Sequence, residues 1–455
     1  MRIKSIVAGL IILAMLMPFH HANAADVVKQ KKEYTYEMVK RDLIALEKSY
    51  PDLVELKTIG KTEYDRDIYA ISIGKGTPTA FINASHHARE YFTTAIVMNQ
   101  IQDLLTRSET EEKVNTLLDH VTLWFVPMVN ADGVTLVQQG VSAFPQEDRN
   151  AILAMNDGKT DFSRWKANAK GIDLNRQYPA DWANIRSNPG KTNYANYKGS
   201  APLQTKENQA IITFTYEIDP QMTMSYHSSG QVIYWNFHNA ESNIARDTKL
   251  ARQLAQMTGY KLMTPTANPS GGGYSDWFIQ TFKRPAYTPE LAISSGERPV
   301  KLNQFAEEWK RNKEVPIWLA ENVYTLWRDK VQSELVEEEL EITLTEKTKI
   351  YHSMSKSDSA YASISPSTIK SSAHWDKWYR VDTWLGEKYI YVADAEIETA
   401  EKTVKISKST TMHAIPYENS KVKGYLSPQE IKVITQTGNW SKVNTWLGEV
   451  WIQAK

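Results

Sequence analysis

Apolar positions along this chain recur in two rhythms, and the rhythm switches repeatedly over the first 330 residues. From Glu37 to Lys48 the apolar side chains Met38, Leu43 and Leu46 fall at helical spacing. From Asp67 to Ile73 apolar and polar residues alternate as on a strand, and Thr79 to Ala84 is a short apolar run that reads as a buried strand. Phe92 to Leu105 returns to the helical period, and Val121 to Pro127 to the strand period. Thr205 to Glu217 reads as a helix, Gln221 to Tyr226 as a strand, and Asn303 to Arg328 as one long closing helix. Periods near 3.6 and 2.0 that take turns in this way predict an α/β fold, with a central mixed sheet flanked by helices. Ligands of such a sheet gather at the carboxyl ends of its strands.

After Lys330 the pattern changes. An acidic stretch over residues 331–342 reads as a linker, and short strand patterns follow. The segment Val381-Asp382-Thr383-Trp384-Leu385-Gly386-Glu387 returns 62 residues later as Val443-Asn444-Thr445-Trp446-Leu447-Gly448-Glu449. Ser365-Pro366 returns as Ser427-Pro428 at the same offset, and Ile369 as Ile431. Two repeats, 343–396 and 403–455, are therefore expected to form two small all-β barrels in tandem. They resemble bacterial SH3-like domains, which commonly carry secreted enzymes to cell-wall peptidoglycan. Their tryptophans either fill two small cores or meet a ligand, and the sequence leaves both readings open.

Composition narrows the function classes. The chain has 455 residues, and 53 basic side chains balance 53 acidic ones. Phosphate binding calls for a basic excess, so nucleic acid is not expected as a partner. Arg2 and Lys4, an apolar run from Ile6 to Met17, and Ala22-Asn23-Ala24 match a leader peptide over 1–24, implying export. Cysteine is absent, so neither disulfides nor thiolate ligands are available, and any zinc must rest on His, Asp or Glu.

The candidate chemistry begins in Ala84-Ser85-His86-His87-Ala88-Arg89-Glu90. His87 and Glu90 stand three residues apart, which on a helical turn aims both at one point. Three further segments accompany them: Gly171-Ile172-Asp173-Leu174-Asn175-Arg176, Ser225-Tyr226-His227-Ser228, and Ser270 to Trp277 followed by Tyr287-Thr288-Pro289-Glu290-Leu291. In this order and at these separations they resemble the carboxypeptidase A-type zinc metallopeptidase family, over residues 34–329. The resemblance implies a catalytic domain over 30–330 and one zinc ion on His87, Glu90 and His227. It makes Glu290 the catalytic carboxylate, and Asn175 with Arg176 the grip on a substrate's terminal carboxylate. Arg89, Tyr274 and Ser275 become substrate-contacting residues. His86, His120 and His238 are expected to be structural.

The sequence also departs from that family. The family's carbonyl-polarising arginine is matched by Lys166, with Arg164 as a second candidate. The mobile tyrosine is matched by Asn268. Ser275, at a position that helps set side-chain preference, is neither bulky and apolar nor acidic. With the leader and the tail, these departures resemble bacterial enzymes that cut γ-D-glutamyl–diaminopimelate bonds. The expected function is a secreted zinc carboxypeptidase of peptidoglycan stem peptides, acting as a monomer held at the wall by its SH3-like repeats. The alternatives are a broad secreted carboxypeptidase, an amide hydrolase of small acylated amino acids, and a wall-binding protein without catalysis.

Overall fold

In the computed structural model the described residues are 27–28, 32–356, 358, 360–393 and 403–453. The expected leader lies outside them. Eight strands make the central sheet: β1 (Val54–Lys61), β2 (Asp67–Ile73), β3 (Thr79–Ala84), β4 (Thr122–Val126), β5 (Met222–Ser228), β6 (Val232–Tyr234), β7 (Lys261–Leu262) and β8 (Ala286–Leu291). Their order is β1-β2-β4-β3-β5-β8-β6-β7. The central strands β4, β3, β5 and β8 run parallel, and antiparallel pairs flank them.

Side-chain alternation divides the sheet between two cores. Ile71, Ile73, Ala80, Ile82 and Ala84 face the helices Tyr36–Ser49, Phe92–Thr110 and Val315–Ser333. Ile68, Ala70 and Phe81 face the helices Lys206–Ile218 and Tyr274–Phe282. Buried on both faces, the central strands read as nearly continuous apolar runs. The closing helix expected over 303–328 is two helices, Phe305–Asn312 and Val315–Ser333. Pro316 opens the second, because a first helical turn does not need the amide hydrogen that proline lacks. Among the described residues no helix is long and apolar enough to cross a membrane.

The tail holds two six-stranded antiparallel units. The first has β9 (Val336–Leu344), β10 (Thr348–Tyr351), β11 (Ala362–Ile364), β12 (Ser367–Trp375), β13 (Trp378–Thr383) and β14 (Gly386–Tyr391). The second has β15 (Thr403–Ile406), β16 (Thr410–His413), β17 (Val422–Leu426), β18 (Gln429–Thr437), β19 (Trp440–Thr445) and β20 (Gly448–Gln453). The acidic stretch read as a linker is largely strand β9, which pairs with β12 from Val336 to Leu344. Its glutamates sit on the exposed side, which hid the strand from a reading by charge.

Neither unit hangs free. Tyr351, Met354 and Trp378 of the first pack on Trp327 and Val331 of the last catalytic-body helix. Ile415 and Tyr417 of the second join the core behind the helix Tyr274–Phe282, and Trp451 meets Tyr216 at 5.8 Å between ring centroids.

Candidate active site

The site is assembled at the carboxyl ends of β3, β5 and β8. Ser85 leaves β3 with a positive φ of 53°. Its amide donates to Thr93 Oγ1 (3.0 Å) and its hydroxyl lies 2.7 Å from Thr94 Oγ1, which ties the turn to the next helix. His87 is extended (φ −99°, ψ 133°), and Ala88–Glu90 then form one 3-10 turn, so the His87 and Glu90 side chains converge. Asn130 Nδ2 donates to His86 O (3.0 Å) and the Ala88 amide to Lys166 O (3.0 Å), fixing this loop to the segment around Trp165.

His227 lies near the end of β5, and the parallel register sets Glu290 of β8 directly beside it. His87 Nδ1 is 2.8 Å from Glu90 Oε1, His227 Nδ1 is 2.9 Å from Glu90 Oε2, and the two Nδ1 atoms are 3.1 Å apart. All three side chains are buried. Burial alone would raise the Glu90 carboxyl, but His87 and His227 hold it well below the usual carboxylate range. Burial and the neighbouring His87 lower His227.

The donor set fits zinc. Two imidazole nitrogens and a carboxylate oxygen lie within 4.8 Å of one another, the ligand types and closeness a zinc ion takes. Both imidazoles turn Nδ1 toward the other and toward Glu90, so one cation placed among them would meet all three groups. Behind them, Asp173 Oδ1 stands 3.2 Å from His87 Nε2, a carboxylate beside the imidazole's far nitrogen that is not aligned as a hydrogen bond in this structure. Sequence reasoning passed over Asp173, although it lies inside the quoted Asp173-Leu174-Asn175-Arg176 run. Burial would raise its carboxyl, yet Lys166 and His87 hold it well below its ordinary range.

The cluster opens into a cavity of about 550 Å³ whose walls include His87, Arg89, Glu90, Lys166, Asn175, Arg176, Ser275 and Glu290. Burial and the charge of Glu90 raise the Glu290 carboxyl well above its ordinary value, with Lys166 and Arg89 opposing. Lys166 Nζ reaches Asp173 Oδ2 (2.9 Å) and Asn196 Oδ1 (3.1 Å). Arg89 donates to Arg164 O (2.9 Å) at the cavity rim. Arg164 itself is turned elsewhere, onto Asp157 (2.6 Å) and the Tyr194 ring, and so is removed as an alternative to Lys166.

Asn175 Oδ1 accepts from the Tyr274 amide (3.0 Å), and the Arg176 Nε is buried without a hydrogen-bond partner. The glycine run beside them is required by crowding. Gly272 has φ +86°, and a Cβ there would come within 2.4 Å of Ile185 and 3.1 Å of the Arg176 backbone. Tyr274 corrects the sequence reading. Its ring is fully buried, with its hydroxyl 3.2 Å from Thr215 Oγ1, so it offers the site an amide and not a phenol. Ser275 Oγ is 2.7 Å from Thr288 Oγ1, a hydroxyl pair in the cavity wall. Asp276, raised to about 6 by burial, accepts from the Gly273 amide (3.0 Å) and caps its helix. His86 bonds Tyr178 Oη (2.8 Å), His120 stacks on Tyr324 and His238 pairs with Asp181, all outside the donor cluster.

The pattern of the family described as zinc carboxypeptidase matches residues 39–315. This chain belongs to the zinc carboxypeptidase family. It is therefore a zinc metallopeptidase by membership, with His87, Glu90 and His227 as its metal-holding group. It is 35% identical to the γ-D-glutamyl-L-diamino acid endopeptidase 1 of Lysinibacillus sphaericus over 286 residues, 61% of this chain and 70% of that protein. It is 25% identical to carboxypeptidase B of Bos taurus over 259 residues, 53% of this chain and 58% of that one. A crystal structure of thrombin-activatable fibrinolysis inhibitor superimposes with a TM-score of 0.55 at 18% identity, covering 66% of this chain and 77% of that one. That likeness supports the mixed sheet with flanking helices as the fold. The family pattern ends before the two β units.

Proposed function

We propose that this protein is exported and hydrolyses the amide bond between γ-linked D-glutamate and a terminal diamino acid in peptidoglycan stem peptides. The observation that carries the reading is the Glu290 carboxylate beside His227, facing a buried two-imidazole, one-carboxylate cluster in a cavity where Arg176 waits with an unpartnered Nε. The relative's name, a γ-D-glutamyl-L-diamino acid endopeptidase, supports the substrate class.

What zinc supplies when bound is Lewis acidity, which brings the pKa of a water toward about 7. The remaining work falls to side chains. Glu290, whose proton affinity is raised by burial and by Glu90, takes the proton of the attacking water and hands it to the leaving nitrogen. Arg176 and Asn175 hold the terminal carboxylate, and a planar guanidinium fixes its register. Lys166 donates to Asn196 and sits in ion-pair contact with Asp173, and its remaining N–H groups can meet the carbonyl oxygen as charge develops there. Arg89 contacts the substrate at the rim. The Ser275–Thr288 hydroxyl pair can donate or accept, which suits a side chain with a polar end better than an aromatic ring. The leader at 1–24 directs export, and the two barrels hold the enzyme at the wall.

Mass spectrometry of muropeptides and of a general peptide mixture, each incubated with pure protein, tests this directly. Release of diaminopimelate or another diamino acid from γ-D-glutamyl stems is expected. Faster trimming of ordinary α-linked peptides would replace this substrate with the broad-carboxypeptidase reading. Glu290→Gln should lower kcat at least about 10³-fold with zinc still bound. Unchanged turnover would remove Glu290 from the mechanism.

A further inference from the structure

We propose that the second barrel carries a binding groove for an extended acidic peptide, separate from the catalytic cavity. The groove has a volume of about 480 Å³ and is walled by the end of β15 and the turn after it, by β16 and by β17. Its lining includes Lys405, Lys408, His413, Glu418, Val422 and Tyr425. Tyr425 is 66% exposed and Val422 47%, so an apolar surface stands beside two exposed ammonium groups. Among the described residues neither ammonium is paired with a carboxylate. Glu430, opposite Lys405 across the ladder, is taken by Thr403 Oγ1 (2.6 Å).

Two further observations select the occupant. Strand β17 closes the order β15-β18-β19-β20-β16-β17, so it bonds β16 on one side and presents an open edge on the other. An open edge is a template for an added strand, with main-chain hydrogen bonds giving affinity and flanking side chains giving selectivity. The charge is also specific to this barrel. Residues 403–455 carry seven lysines against three glutamates, whereas residues 343–396 carry seven basic and seven acidic residues. Sixty-two residues before Lys405, Lys408 and Tyr425 stand Thr343, Glu346 and Ser363. The first copy has its exposed lysines and tyrosine at shifted positions, Lys347, Lys349 and Tyr361, and balances them with acidic residues such as Glu346, so the net positive charge is what sets the second copy apart. A phosphate polymer would meet the lysines but has no amides for the edge and nothing apolar for Tyr425 and Val422. A peptide with alternating carboxylates and aliphatic side chains uses all three. This deepens the wall-holding role proposed for the barrels and does not depend on the hydrolytic chemistry.

The probe is an N-acetylated, C-amidated pentapeptide, Glu-Val-Glu-Val-Glu, titrated into the full chain by fluorescence anisotropy. Its amide terminus denies Arg176 a carboxylate. Saturable binding is expected, weakened at least tenfold in the double variant Lys405→Glu/Lys408→Glu with the thermal midpoint unchanged. Methylation of alternate backbone nitrogens in the probe should weaken it as much. The proposal is overturned by absent saturation, by an unaffected double variant, by an N-methylated probe that binds equally well, or by inorganic polyphosphate that displaces the probe at lower concentration. A parallel pull-down on insoluble wall sacculi separates this site from the wider role. Sacculi bound equally by wild type and double variant would leave the wall role standing and overturn its assignment to this groove. Probe bound without sacculi would leave the groove standing and remove the wall role.

Discussion

The catalytic body and the tail handle polarity in opposite ways. The body buries polar groups and must neutralise them, as with His87, Glu90, His227, Asp173, Asp132 and Glu207. The tail leaves large apolar groups in water, among them Trp384, Leu385, Tyr425, Ile434, Trp446 and Leu447. Buried polar groups cost stability unless paired, and exposed aromatic groups forgo the stability that burial brings. The body's buried polar groups His87 and Glu90 border a cavity, whereas the tail's apolar groups lie on its outer surface. The difference also isolates one place where the tail behaves like the body. Residues 351–354 and 413–417 follow the same strand in the two repeats, and both pack against the catalytic body.

The sharpest break comes from the metal-holding cluster. His227→Ala should reduce bound zinc, read by atomic absorption, from about one ion to near none, with activity falling by more than about 10³-fold. Chelation of the wild type should do the same and lower the body's thermal midpoint, since a ligand at 1,000 times its Kd adds about 4 kcal/mol. Zinc retained in His227→Ala would break the reading of the buried cluster. The next effect tests docking. Ile415 is 4% exposed, within a core shared with the body. Ile415→Asp places an unpaired charge there at a cost of about 3 kcal/mol or more. Calorimetry should then resolve a separate transition for the second barrel. A single transition at the wild-type midpoint would show that this contact does not join them.

Much of this architecture was legible in the sequence, and the failures share a cause. Strands 67–73 and 79–84 were read at their observed limits, the first from its alternation and the second from a short apolar run of the kind a strand covered on both faces shows. His87, Glu90 and His227 were legible through spacing and order, since each follows or ends a parallel strand. Tyr274 was misread because a sequence cannot tell a ring from an amide as the group that faces a cavity. Asp173 was missed because it stands behind the donor cluster, beside His87 and Lys166. The segment over 331–342 was misread because an exposed acidic edge strand has the composition of a linker.

Glu207 tests the body's side of the comparison at intermediate size. It is fully buried near Asp132, and burial followed by that charge raises its carboxyl to about 8. The folded value exceeds the unfolded one near 4.5, so the native state binds this proton more tightly. Its contribution is complete below about pH 4.5 and is lost as pH rises toward 8. At 1.36 kcal/mol per unit the loss is of order a few kcal/mol. Glu207→Gln should therefore flatten the fall in stability between pH 5 and 8, and be more stable than wild type at pH 8 by denaturant titration. Equal slopes for the two proteins would show that Glu207 is not held protonated.

The smallest expected effect bears on the tail. Trp384 and Trp446 occupy matching hairpin tips and are each 70% exposed. The tips are held by other groups. Thr383 Oγ1 donates to Gly386 O (2.8 Å) and Thr445 Oγ1 to Gly448 O (2.9 Å), while Gly386 and Gly448 both take φ of 80°. Neither indole is needed for the turn, so Trp384→Ala and Trp446→Ala should each change stability by no more than about 0.5 kcal/mol. This removes the core-filling reading for these two residues, since the barrel cores are filled by others such as Val381, Ile390, Val443 and Ile452. The matching glycine variants, Gly386→Ala and Gly448→Ala, should cost more than the tryptophan variants, because a Cβ at positive φ is strained. A loss of 2 kcal/mol or more on removing either tryptophan would mean that the tail hides its aromatic residues as the body does, and the contrast between the two regions would fail.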